Sequence, residues 1–199
     1  MNLPNKLTVL RIAMIPFMMF FYFANFIPYG IGKLVALVLF ILASYTDMLD
    51  GKIARKNNLV TNLGKFLDPI ADKMLTSAVL FMIIADGTII NPVGAIIVTI
   101  IITREFMVSA LRFMAASKGV VVAADMWGKV KTTIQFITLL YLFVGIQYSP
   151  DASGYWVYAI IAEILVYATL VSTVFSGIDY LQKNKDIFLD QKQKKKKSK

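Results

Sequence analysis

The stretch "DMLDGKIARKNNLVTNLGKFLDPIADK", residues 47–73, holds four aspartates beside long apolar runs. Asp47, Asp50, Gly51 and Ala54 are spaced i, i+3, i+4 and i+7, which on a helix makes one stripe. Gly64, Asp68 and Asp72, at i, i+4 and i+8, make a second. Two antiparallel helices carrying these stripes would gather four carboxylates into one small volume. Carboxylates that close repel one another strongly in low dielectric, and divalent cations would relieve the repulsion. The chain has no histidine and no cysteine, so its donors are oxygens, which suit Mg²⁺ or Mn²⁺ better than zinc. Two such ions about 4 Å apart would clamp a pyrophosphate and stabilise both the attacking and the leaving oxygen. Gly51 and Ala54 leave room for a bulky group such as a nucleotide, and Arg55 offers phosphate a bidentate contact.

Taken singly, these residues have plainer readings. Asp68 precedes Pro69, the pattern of a helix start with aspartate as N-cap and proline in the first turn. Asp47 and Asp50 read as interfacial charges paired with Lys52 and Arg55. Charges beside a bilayer are costly, however, and four at regular intervals in so apolar a chain call for one common explanation.

The elements that position them are membrane helices. Of 199 residues, 58% are hydrophobic and only 17% charged, and mean hydropathy is +0.68. The charge-free runs Gly87–Thr103 and Thr132–Pro150 approach the roughly 20 residues that cross a hydrocarbon core, and Met74–Ala85 is a shorter charge-free run. The sequence predicts an all-α integral membrane protein with six spans, roughly 7–27, 31–50, 66–86, 92–116, 130–149 and 155–180. Lys6 and Arg11 ahead of an apolar stretch imitate a secretory signal. Five further spans follow without a small-x-small cleavage site, so the first span is expected to be retained. Basic residues cluster in alternate connections, from Lys52, Arg55 and Lys65 to Arg112, Lys118, Lys129 and Lys131. The positive-inside rule therefore places both termini and the aspartates on the cytoplasmic side of a cell membrane.

Net charge is +9, from 21 basic and 12 acidic residues, and six of the lysines fall in the tail "QKQKKKKSK" at 191–199. Residues 1–190 read as one membrane domain. The tail reads as a cytoplasmic segment attracted to anionic membrane lipid, at about 1 kcal/mol per lysine. No aromatic or fold signal accompanies it that would indicate nucleic acid.

The pattern Asp47-x2-Asp50-Gly51-x2-Ala54-Arg55-x8-Gly64-x3-Asp68-x3-Asp72 resembles, at all eight positions, the signature of the CDP-alcohol phosphatidyltransferases. The resemblance implies six membrane helices around a cytoplasm-facing cavity, and a homodimer. It implies a reaction in which an alcohol attacks the β-phosphate of a CDP-linked lipid and CMP leaves. It also implies roles. Asp47, Asp50, Asp68 and Asp72 would hold two divalent cations, and Asp72 would serve as general base. Gly51, Ala54 and Arg55, with Asp50 and Gly64, would contact the cytidine diphosphate. Asn5 and Thr8, on one helical face, resemble the family's N-terminal nucleotide contacts, and Lys65 would touch phosphate.

The acceptor is addressed by the remaining cations. Arg104 and Arg112 lie eight residues apart, about 12 Å along a helix and about 80° around it, so both can face one cavity. Lys129 and Lys131 open the fifth span. An arginine within a membrane span points to function, although Arg104 paired internally with Glu105, Glu163 or a motif aspartate would explain it too. Several cations together favour an acceptor that carries a phosphate, glycerol 3-phosphate before inositol phosphate, over serine or choline. The segments "MNLPNKLTVLRI", "ITREFMVSALR" and "WGKVKTTIQ" resemble family members that use CDP-diacylglycerol and glycerol 3-phosphate. A divalent-cation transporter is the opposing class. It would need acids near mid-membrane reachable from both sides, and it leaves Gly51, Ala54 and Arg55 without a role.

Overall fold

The structure, a computed structural model, describes residues 3–24, 26–27, 30–56, 62–86, 92–117, 119–120, 122, 125–145 and 154–185, with the side chains at 3, 4, 48–56, 62, 63, 65, 66 and 92 outside that description. Among the described residues, six α-helices follow in order: α1 (Leu3–Phe23), α2 (Ile31–Lys56), α3 (Asn62–Ala85), α4 (Pro92–Ser117), α5 (Met126–Gly145) and α6 (Tyr155–Lys183). In hydrocarbon every backbone N–H and C=O must be matched within the segment, which is why long apolar runs become helices. Among the described residues, three helices contain a stretch long and apolar enough to cross a membrane: Asn5–Phe23, Val93–Ser117 and Tyr155–Lys183. The chain is thus an all-helical membrane protein.

Helix starts differ from expectation where it matters for the aspartates. Helix α3 begins at Asn62, so Asp68 lies in its second turn and Pro69 inside it. Asp68 is therefore not the N-cap that Asp-Pro suggests. Pro69 has no N–H for the carbonyl four residues earlier, which weakens the helix locally. Helix α5 begins at Met126, which draws Lys129 and Lys131 into its first turns.

The chain forms two compact units. The first comprises Met1–Ala95 and Leu139–Ile160. Within it α1 packs along α2 and α3. The contact is close because position 32 is glycine: a Cβ there would collide with the backbone carbonyl of Phe21. The buried face of α1 runs Asn5, Thr8, Arg11, Ile15, Met18, Tyr22, polar in its first half and apolar in its second. The apolar half meets rings: Tyr22 stands edge-on to Phe143 at 5.8 Å, and Phe143 stacks on Phe40 at 5.7 Å. Lys33, whose role the sequence leaves open, bonds both carboxylate oxygens of Asp86 at 2.7 and 2.9 Å, tying the start of α2 to the turn after α3.

The second unit comprises Ile96–Thr138 and Ile161–Lys199. Its buried face on α6 (Ala162, Val166, Thr169, Thr173, Ser176, Gly177, Tyr180) becomes polar and small beyond Val166. Apolar burial does little to drive helices together in lipid, where close packing and interhelical hydrogen bonds act instead. The hydroxyls of Thr138 and Thr169 meet at 2.8 Å, a contact worth about 0.6 kcal/mol.

Candidate active site

In the first unit, α1 supports two of the motif aspartates. The hydroxyl of Thr8, fully buried, donates to Asp68 Oδ1 at 2.6 Å. One turn further along, the buried guanidinium of Arg11 donates through Nε to the Ala43 carbonyl at 3.3 Å and pairs through Nη1 with Asp47 Oδ1 at 2.8 Å. Arg11, which in the sequence stands out only as a basic residue ahead of an apolar stretch, thus holds the first aspartate of the motif. The signal was present: Asn5, Thr8 and Arg11 recur at helical spacing and share one face. Asn5 is buried on that face.

Asp72 lies one turn beyond Asp68 on α3, with Lys73 Nζ 3.0 Å from its Oδ2. Gly64, one turn before Asp68, is buried and presents no side chain. Asp50, Gly51, Ala54, Arg55 and Lys65 lie in helical backbone, with their side chains outside the described residues. The carboxylates that are described fit a hard divalent cation by donor chemistry, since all their donors are oxygens. Despite their basic neighbours, the side chains of Asp47 and Asp72 remain 42% and 45% exposed. Among the described residues no three acids gather around one point, and Asp50 falls outside that set.

The second unit carries the cations expected at the acceptor. Arg104 and Arg112 lie on α4, Lys129 and Lys131 on α5. Glu105, adjacent to Arg104 on α4, takes Lys131 Nζ at 2.5 Å, with both side chains buried. Lys131, one of the cations expected at the acceptor, is thus ion-paired with Glu105 and ties α4 to α5. Lys129 is exposed at the start of α5. The Arg112 guanidinium lies over the Tyr180 ring, 5.7 Å from its centre. Tyr180, which its position suggests is an interfacial aromatic, is instead buried and supports Arg112. Asp125 and Asp179, with no role in the sequence reading, share Lys183 at 2.8 and 2.7 Å. The Asp125 carboxyl is pushed down to about 2, first by its hydrogen bond with Asp179 and then by Lys183.

The model of the CDP-alcohol phosphatidyltransferase family matches residues 1–175. This chain belongs to the CDP-alcohol phosphatidyltransferase family. Among its curated relatives, a protein of Bacillus subtilis (strain 168) named CDP-diacylglycerol–glycerol-3-phosphate 3-phosphatidyltransferase is 41% identical over 92% of this chain and 95% of its own length. Proteins of the same name from Rickettsia felis and Haemophilus influenzae are 39% and 37% identical, over 94% and 95% of this chain and 97% and 96% of theirs. In this CDP-alcohol phosphatidyltransferase, then, the contacts from Thr8 and Arg11 fall on two positions of the family signature.

Proposed function

We propose that the protein transfers the phosphatidyl group of CDP-diacylglycerol to sn-glycerol 3-phosphate, forming phosphatidylglycerophosphate and CMP. The observation that carries this reading is the support of Asp47 and Asp68 from one face of α1, in a chain similar over more than nine-tenths of its length to proteins named for that reaction. Asp47, Asp50, Asp68 and Asp72 would hold two divalent cations, Mg²⁺ or Mn²⁺, which when bound neutralise the diphosphate and polarise its phosphorus. Thr8 and Arg11 fix the carboxylates of Asp68 and Asp47, so that little reorganisation is left for the reaction. Asp72 takes the proton of the acceptor hydroxyl as its oxygen bonds to the β-phosphorus. The bond from that phosphorus to the bridging oxygen breaks, and CMP leaves with the electron pair. Asn5, Gly51, Ala54, Arg55, Gly64 and Lys65 contact the CDP group. Arg104, Arg112 and Lys129 bind the acceptor's phosphate, while Lys131 keeps its place against Glu105.

The same reading places six spans in the cell membrane of a bacterium, with both termini and the aspartates cytoplasmic. It assigns the lysine tail to anionic lipid and the working form to a homodimer. The test is the lipid product. Detergent-purified protein given CDP-diacylglycerol and Mg²⁺ with glycerol 3-phosphate, inositol phosphate or serine should yield phosphatidylglycerophosphate alone by mass spectrometry. An inositol-phosphate lipid would keep the transferase and move the acceptor. No lipid product under any metal would return the transporter reading.

A further inference from the structure

Gly177 on α6 stands directly beside Arg104. A Cβ built on Gly177 would meet Arg104 Cγ at 3.2 Å and Nε at 3.9 Å, and both atoms within 4 Å belong to that one side chain. Carbon atoms in ordinary contact sit about 3.5–4.0 Å apart, so a methyl group would push the arginine. The glycine is not there for its backbone: positive φ angles occur at Gly30, Gly119 and Gly154, and Gly177 is ordinary helix. Alanine is the better helix former, so propensity argues against glycine at this position. What remains is space for Arg104.

Arg104, Gly177 and Thr173 line a cavity of about 290 Å³ between α4 and α6 of the second unit. Arg104 Nε is buried without a hydrogen-bond partner, as is the hydroxyl of Thr173, one turn before Gly177. Leaving such groups unmatched is costly. No hydrogen bond at Nε fixes this arginine, and its stem is aimed by the surface it lies on.

We propose that Gly177 is a positioning residue for the acceptor: by lacking a side chain it seats Arg104 flat against α6 and so sets where the guanidinium meets the phosphate. This rests on the reading of Arg104 under the proposed function. Gly177→Ala displaces the arginine by a few tenths of an ångström. The KM for glycerol 3-phosphate then rises about three- to tenfold, because misplacements well under 1 Å already weaken a positioned contact. The KM for CDP-diacylglycerol and kcat stay within about twofold, since the variant touches acceptor binding alone.

The experiment is a double-mutant cycle with Arg104→Ala, which removes Cγ and Nε. Once Arg104 is alanine, Gly177→Ala adds nothing to the acceptor KM. An unchanged KM in Gly177→Ala, or the same increment in both backgrounds, overturns the proposal and leaves Gly177 a packing residue. Should Gly177→Ala fail to fold, a folded Gly177→Ala/Arg104→Ala protein supports the contact, and failure of both overturns it. If Arg104→Ala alone has the wild-type KM, the assignment of Arg104 falls and this proposal with it. An impaired Arg104→Ala beside a normal Gly177→Ala overturns only the role of Gly177.

Discussion

Thr8 and Asp68, sixty residues apart in sequence, are joined by a 2.6 Å hydrogen bond from hydroxyl to carboxylate. The bond fixes one oxygen of a motif aspartate on α3 from a helix that carries no part of the motif. Thr8→Val keeps the shape and removes the donor. A hydrogen bond to a charged group is worth about 1.5–3 kcal/mol, so turnover should fall about tenfold or more. Thr8→Ser should keep most of it. Full activity in Thr8→Val, measured as CMP release, would mean that Asp68 is fixed by other means.

The buried Glu105–Lys131 pair should matter to folding rather than to the acceptor. Removing one partner strands the other charge, at a cost of about 3–5 kcal/mol. Lys131→Met should therefore lower thermal stability sharply, and adding Glu105→Gln should recover much of the loss. If Lys131 instead binds phosphate, Lys131→Met will leave the melting temperature alone and raise the acceptor's KM, with no rescue from Glu105→Gln.

Six helices could be read from the chain because long apolar runs with few charges are visible without knowledge of their neighbours. The aspartate stripes could be read too, since i, i+3 and i+4 spacing is set by the helix itself. Partners across helices were less visible. Arg11 looks like any cytoplasmic cation until α2 is laid beside it and Asp47 comes within 2.8 Å. Nothing in the sequence near Lys131 shows that Glu105 of α4 pairs with it. Asp-Pro at 68–69 reads as a helix start, whereas the helix begins six residues earlier at Asn62 and carries Pro69 inside it. Tyr180 fits the interfacial belt by position, while Arg112 over its ring and its own burial show it turned inward.

Arg112 should act with Tyr180. Arg112→Ala should mainly raise the KM for glycerol 3-phosphate. Tyr180→Leu, which removes the ring beneath the guanidinium, should raise it about two- to fivefold, in line with about 0.5–1 kcal/mol for such a contact. Tyr180→Phe keeps the ring face and should change little. An unchanged KM in Arg112→Ala would exclude Arg112 from acceptor binding.

Asp125 sets an acid limit on the junction between α5 and α6. Its carboxyl lies at about 2 in the folded chain against an ordinary 3.8, through Asp179 first and Lys183 second. A carboxyl depressed on folding stabilises above its unfolded pKa, and that contribution is lost as pH falls toward the folded value. Asp125→Asn should therefore melt below wild type at pH 6 and alongside it near pH 2. Because the group is open to solvent, high salt should shrink the difference. A gap that persists at pH 2 would point to packing rather than charge.

The central claim is that carboxylates of α2 and α3 perform metal-dependent phosphatidyl transfer. Its most direct test is CMP release from CDP-diacylglycerol and glycerol 3-phosphate by purified wild type and Asp72→Asn, each with Mg²⁺ and with a chelator. The account predicts release by wild type with Mg²⁺ alone, and none from a folded Asp72→Asn protein. Release that survives the chelator, or that Asp72→Asn retains, would contradict it.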